Sequence, residues 1–143
     1  MSGGTSHLDL MALAGVIGNA ARNDDVDGVH VALCQLRNDL VEHVASESDA
    51  VAGMSDAAAG PVRNGHRRLL IFIDDLLADP GGVTGCSCVV RAAELRALLI
   101  RQIRLEGSLA SRQRVQQRPE GNPRVALWPG RQSLAEASSA DTA

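Results

Sequence analysis

The segment LVEHVASESDAV, Leu40–Val51, continues an amphipathic helix but places a histidine and a glutamate on its apolar stripe. Residues that recur at steps of three and four lie on one face of a helix. Burying an imidazole and a carboxylate without partners is expensive. The sequence therefore predicts that His43 and Glu47 meet polar groups from other helices. The complete stripe is Leu33, Leu36, Leu40, His43, Glu47, Val51 and Met54.

The composition of the chain favours a single helical domain. Its 143 residues are 45% hydrophobic but only 1% aromatic, so the core must consist of aliphatic side chains. A chain of this length forms one domain, and such a core suits packed helices better than a β-sandwich. We predict an all-α protein, an antiparallel up-down-up-down four-helix bundle.

Four amphipathic segments and the breaks between them define the predicted helices. Thr5 or Ser6 is expected to cap the first helix, Asp24 or Asp25 the second, and Pro61 suits the first turn of the third. The predicted bundle covers residues 1–117. Residues 118–143, rich in proline and small polar residues, are predicted to be a disordered tail in which Trp128 is exposed. The predicted helices are 6–22, 26–54, 60–78 and 88–114.

Charge and motif content exclude several classes of function. The net charge of -3 gives no electrostatic footprint for nucleic acid, and no apolar run approaches the roughly 18–20 residues of a membrane span. The N-terminal sequence MSGGTSHLDL lacks the features of a signal peptide, so a cytoplasmic location is expected. The chain has no phosphate loop, dinucleotide fingerprint or serine elbow, and we do not expect a hydrolase or transferase.

The inward faces of the predicted helices carry groups that bind metals. His7, His43 and His66 lie on the inward stripes of three different helices. Glu47 follows His43 by four residues, which places the two side chains about 6 Å apart on one face. Glu106 supplies a carboxylate on the fourth helix, where Leu105 competes for the inward position. Imidazoles and carboxylates together suit iron, manganese or zinc.

The fourth histidine of the chain, His30, is expected to lie away from this group. It precedes His43 by thirteen residues, a rotation of roughly 220° around a helix. We therefore predict that His30 is a surface residue.

This pattern resembles the hemerythrin-like (HHE) family over Ser6 to about Ser111. His7 matches the histidine of the family's first helix, and the pair His43 and Glu47 matches the His-x-x-x-Glu of its second. His66, in GHRRLLIFIDDLL, is similar to the third-helix ligand, and Glu106 to the acidic residue of the fourth helix. The resemblance implies non-haem iron, one or two ions per chain, held by these five residues. It further implies binding or sensing of O2, nitric oxide or peroxide, or the handling of iron.

The chain departs from the family at two positions. Val62 stands where typical hemerythrins have a second third-helix histidine, although the branch that repairs iron centres also has a single one there. No histidine precedes Glu106 on the fourth helix. The family's histidine lies four or five residues before the acidic residue. Four residues before Glu106 is Gln102 and five before it is Arg101, and Gln102 fits the inward stripe better. Glutamine is a weak ligand for iron, and arginine, always cationic, cannot ligate.

Two alternatives remain open from the sequence. One is a metal-free hemerythrin-like bundle that binds a protein partner, an interpretation that the missing fourth-helix histidine favours. The other is a thiol redox sensor that uses Cys86 and Cys88 in GCSCVV. The simpler interpretation of these two cysteines is a pair of small residues at a helix start, and Cys34 is expected to pack on a helix flank.

Overall fold

Four α-helices make up the described part of the protein. A computed structural model describes residues 4–79 and 85–118, and no strand occurs among them. Contacts group the chain into one compact unit that ends at Ala110 and a second that begins at Ser111. No helix in the described ranges is long and apolar enough to cross a membrane. The helices are α1 (His7–Arg22), α2 (Val26–Ala52), α3 (Asp56–Ala78) and α4 (Gly85–Gln116).

Neighbouring helices run in opposite directions. The carbonyl of Thr5, just before α1, accepts a hydrogen bond from His43 in the second half of α2. His43 and His66, the latter in the first half of α3, both reach Glu106 in the second half of α4. The predicted all-α, antiparallel four-helix bundle is therefore confirmed. The predicted tail, with Trp128, lies outside the described residues apart from Arg118, and the domain boundary at 117 stays a prediction.

Side-chain caps fix where the first two helices begin. The Ser6 hydroxyl accepts from the Asp9 N–H, and the Asp9 carboxylate accepts from the Ser6 N–H, which together form a capping box. The Asp25 carboxylate accepts from the N–H of Gly28 at 2.9 Å and caps α2. Both caps are among those predicted. The first of them makes His7 the first residue of α1.

The predicted start of the third helix is wrong. Of the segment SDAAAGP, residues 55–61, only Ser55 lies outside a helix: α3 already begins at Asp56, and Pro61 lies inside it. Alanine is the strongest helix former, and Ala59 is buried against Val51 and Val62, so burial extends the helix towards its N-terminus. Because Pro61 has no N–H, the carbonyl of Ala57 loses its usual helical partner.

A layer of polar side chains divides the apolar core. Along α2 and α4, His43 and Gln102 follow the buried residues of the large cluster and precede the residues of the small one. Along the antiparallel α3 the order is reversed, and His66 follows Val62 of the small cluster and precedes Leu69 of the large one. In the described ranges the small cluster has three buried members, Val51, Ala59 and Val62, with Met54, Leu105 and Leu109 packed against them. The large cluster includes Leu10, Ile17, Leu33, Leu36, Leu40, Leu69, Ile73, Leu95 and Leu99.

Truncation of the large cluster should destabilise the protein far more than truncation on the surface. Ile73 is fully buried, whereas Ile71 on the same helix is 50% exposed. We expect Ile73→Ala to lower the free energy of unfolding by about 2–5 kcal/mol, measured by urea denaturation and circular dichroism. Ile71→Ala is the matched control and should cost less than about 1 kcal/mol. Equal losses in the two variants would contradict this packing.

Candidate metal centre

The buried carboxylate of Glu106 lies at the centre of the polar layer. Its Oε2 accepts hydrogen bonds from Nε2 of His7 at 2.6 Å and from Nε2 of His43 at 3.3 Å. Its Oε1 accepts from Nε2 of His66 at 2.6 Å and from the amide of Gln102 at 2.5 Å. The three imidazoles come from α1, α2 and α3. Glu106 on α4 thus connects side chains from all four helices.

The backbone orients the His43 ring. Its Nδ1 lies 3.1 Å from the carbonyl oxygen of Thr5, which can only accept, so Nδ1 carries a proton. Nε2, the other ring nitrogen, then points to the centre of the site. Histidines that bind metals commonly have this arrangement, in which one nitrogen donates to a fixed acceptor and the other faces the ion.

Glu47 supplies a second carboxylate beside the imidazoles. Its Oε1 lies 3.4 Å from Nε2 of His43, and its Oε2 lies 3.9 Å from Nε2 of His66. Glu106 has the same relation to the two rings, with one oxygen at His43 and the other at His66. Each carboxylate therefore spans the space between the two imidazoles with its two oxygens.

Four of these side chains form a group that could hold a metal ion. Ligand atoms of His7, His43, Glu47 and Glu106 lie within 4.8 Å of one another. His66 lies beside this group, with its Nε2 2.6 Å from Oε1 of Glu106. The site is closed on the side of His66 and Glu106, both buried, and open at His7 and Glu47, whose side chains are 35% and 29% exposed.

Hydrogen bonding changes the acid–base properties of the buried groups. Burial opposes ionisation of Glu106, but the hydrogen bonds from His43, His66, Gln102 and His7 together outweigh it, so the pKa of this carboxyl lies well below its ordinary value. The hydrogen bond to Glu106 raises the pKa of His43; burial works against this, and the charge of Glu47 adds to it. Metal-free, the layer is therefore an anionic carboxylate surrounded by proton donors.

The amide of Gln102 holds Glu106 in position. Its Nε2 donates both to Oε1 of Glu106 and to the carbonyl of Val62 on α3, the latter at 3.2 Å. A Cβ at Gly65 would lie 1.6 Å from the Gln102 amide oxygen. Gly65 is therefore the residue on α3 that leaves room for this amide.

All five predicted site residues lie together in the structure. Glu106 is buried and Leu105 only partly so, which resolves their competition for the inward position on α4. Gln102 lies inward and Arg101 is exposed, as the stripe predicted. His30 is exposed, also as predicted.

Sequence reasoning missed two contributions to the site. Nothing in the sequence indicates that the Thr5 carbonyl orients His43, because backbone acceptors have no residue signature. Gly65 did leave a signal: a glycine in the interior of a helical pattern, next to His66, suggests a close approach of another group.

The two cysteines of GCSCVV differ in environment. Cys86 is exposed and Cys88 is buried, and both are free thiols in the first turn of α4. Burial, with the nearby charge of Asp24, raises the pKa of the Cys88 thiol. A raised pKa disfavours the reactive thiolate, which weighs against Cys88 as part of a redox sensor. Cys34 lies half-buried on the flank of α2, consistent with packing.

Comparisons with known proteins do not extend this description. No protein-family model, curated protein or solved structure matches the chain. The residues of the site themselves are therefore the basis on which a function is proposed.

The contact between Gly65 and Gln102 can be tested by a double-mutant cycle. Alanine at a helical glycine position usually adds up to about 1 kcal/mol of stability. At position 65 its Cβ displaces the Gln102 amide, and the hydrogen bonds lost cost about 1–3 kcal/mol. We expect Gly65→Ala to lower the urea midpoint in the natural chain and to raise it when Gln102 is already alanine.

Gly15, on the exposed side of α1, is the control for this cycle. No atom lies within 4 Å of a Cβ built there. Gly15→Ala should therefore be stabilising in both backgrounds. If Gly65→Ala behaved like Gly15→Ala in the natural chain, the amide of Gln102 would not occupy the space beside Gly65.

Proposed function

We propose that this protein is a hemerythrin-like, non-haem iron-binding protein that binds or senses O2, nitric oxide or peroxide. The observation that carries the proposal is the convergence of three imidazole nitrogens and two carboxylates from four helices on one partly open site. Imidazole and carboxylate together suit iron, and helical bundles commonly build such centres from facing side chains. Handling of iron itself is a role that the same ligand set would serve.

The two carboxylates support a site for two ions. Glu47 and Glu106 each direct one oxygen towards His43 and the other towards His66. Carboxylates with this relation to two imidazoles are suited to bridging a pair of cations. His7 and His43 would serve one ion and His66 the other, so the two positions would differ in imidazole content.

The protonation states available to the imidazoles are compatible with binding an iron ion. His43 keeps the proton on Nδ1 through Thr5, so Nε2 has a lone pair for a cation once its own proton leaves. Binding would release protons that the metal-free imidazoles share with Glu106. Bound iron would supply redox chemistry and open coordination positions for a small molecule.

The side chains around the site control access to it. The partly exposed side chains of His7 and Glu47 define the side from which a small molecule would enter. The apolar residues of the large and small clusters lie on either side of the layer and exclude water from its buried groups. Gln102 holds Glu106 through Oε1 and keeps that carboxylate from swinging away from the imidazoles.

Iron binding is the direct test of this proposal. The protein would be reconstituted with ferrous iron without oxygen, desalted, and measured by elemental analysis and by absorption after exposure to air. We expect about two irons per chain and near-ultraviolet bands in the natural protein, and loss of both in His43→Ala. His30→Ala is the matched control, because it removes an exposed histidine from the same helix and should leave the iron content unchanged. Equal iron in the His43 and His30 variants, or none in the natural chain, would contradict the proposal.

The two-ion arrangement makes a separate prediction for His66. His66 is the imidazole nearest to the second oxygen of each carboxylate. We expect His66→Ala to retain about one iron per chain, because His7 and His43 still serve the first position. Retention of about two irons in His66→Ala would show that this side chain is not needed for the second ion.

A metal-free interaction module is the second candidate function, and one observation favours it. Glu106 already accepts four hydrogen bonds, so the buried layer is satisfied without a metal. In this case the natural chain would bind no stoichiometric iron, and the bundle would act through its surface with a protein partner. The same elemental analysis separates the two candidates.

A further inference from the structure

A cleft lies between α1 and α4, from one helical turn beyond His7 to the end of α1. The two helices are joined near the start of α1, where His7 contacts Glu106 at 2.6 Å. Towards the end of α1 and the beginning of α4, they leave an open volume of about 330 Å³. This volume is at the lower end of the range for sites that bind small molecules, about 300–1,000 Å³.

The inner part of the cleft is apolar. Its walls are formed by residues too small to fill the gap, among them Gly15 and Gly18 on α1 and Ala93 on α4. Its floor carries no polar side chain. Floor residues are buried or half-buried: Met11, Ala14, Val89 and Ala92.

The rim of the cleft is cationic. Arg22 and Arg96 line it, both exposed, and no carboxylate lines it among the residues that the structure describes, although the chain as a whole has 17 acidic and 14 basic residues. Arg22 donates a hydrogen bond to the side chain of Asn19, also at the rim. In the described ranges, the ion pairs formed by arginines are Arg37–Asp74 and Arg91–Asp79, so neither rim guanidinium belongs to one.

We propose that the cleft between α1 and α4 binds a small amphipathic anion, a carboxylate with a short hydrocarbon body. The apolar floor removes the hydrocarbon from water, and the guanidiniums of Arg22 and Arg96 attract the carboxylate at the rim. A cation of the same shape would be repelled by both arginines. The limited volume excludes long-chain lipids and favours a chain of about eight carbons.

Octanoate is the first ligand to test, and octylammonium and octanol are control compounds of the same chain length. Each would be titrated into the full, metal-free chain and followed by calorimetry and by amide chemical shifts. We expect octanoate to bind at least about tenfold more tightly than either of the others. The shifts should centre on Gly15, Gly18 and Ala93. Equal binding of all three compounds, no binding of octanoate, or shifts centred on His43 and Glu106 would overturn the proposal.

Variants of the rim separate a specific site from general charge attraction. The double variant Arg22→Gln/Arg96→Gln should weaken octanoate binding about tenfold or more. Arg68→Gln/Arg104→Gln makes the same change in net charge at exposed positions away from the cleft and should leave binding unchanged. Equal weakening in the two variants would overturn the assignment to the cleft.

Filling the cleft provides a test that does not involve charge. Ala93→Leu and Gly15→Leu each place a side chain in the open volume at an exposed helical position where folding should be preserved. Both should abolish octanoate binding while circular dichroism and iron content stay as in the natural chain. Unchanged octanoate affinity in both variants would show that the ligand binds elsewhere.

Discussion

The carboxylate of Glu106 is the group on which the rest of the structure depends. It accepts hydrogen bonds from one imidazole on each of the first three helices and from an amide on its own helix. A buried carboxylate without these donors would be strongly destabilising. Moving any of the first three helices by a single turn, about 5.4 Å, would remove its histidine from hydrogen-bonding distance. The polar layer thus fixes the position of each helix along the bundle axis. Aliphatic side chains alone would specify this position less strictly.

The imidazole nitrogens of this layer can carry protons or bind a metal cation, but the two states exclude each other at a given nitrogen. Without a metal, each Nε2 that contacts Glu106 must donate a proton, because the carboxylate can only accept. A cation would instead use the lone pairs of these nitrogens, and the protons would be released. The bundle therefore holds its donor atoms together in either state. Such preorganisation limits the rearrangement that binding requires.

Much of the fold and of the site could be predicted from the sequence because both follow from helical periodicity. The stripe that contains His43 and Glu47 identified them as inward, and the same rule placed Gln102 inward and Arg101 outward. Periodicity left open which of Leu105 and Glu106 points inward, because neighbouring positions on a helix can both fall within the width of a buried face. The helix start at Asp56 was missed because a proline weighs heavily in sequence reasoning, whereas the burial of Ala59 is a tertiary effect.

The division of the core gives the two ends of the bundle unequal strength. Among the described residues, three buried side chains hold the helices together beyond the polar layer, against seventeen in the large cluster. Separating this smaller end exposes little apolar surface, so it needs less free energy than unfolding the whole bundle. Amide hydrogens near Val51 and Val62 are therefore expected to exchange with solvent through local opening. The same fraying is a route by which water reaches the buried face of His66 without loss of the main core.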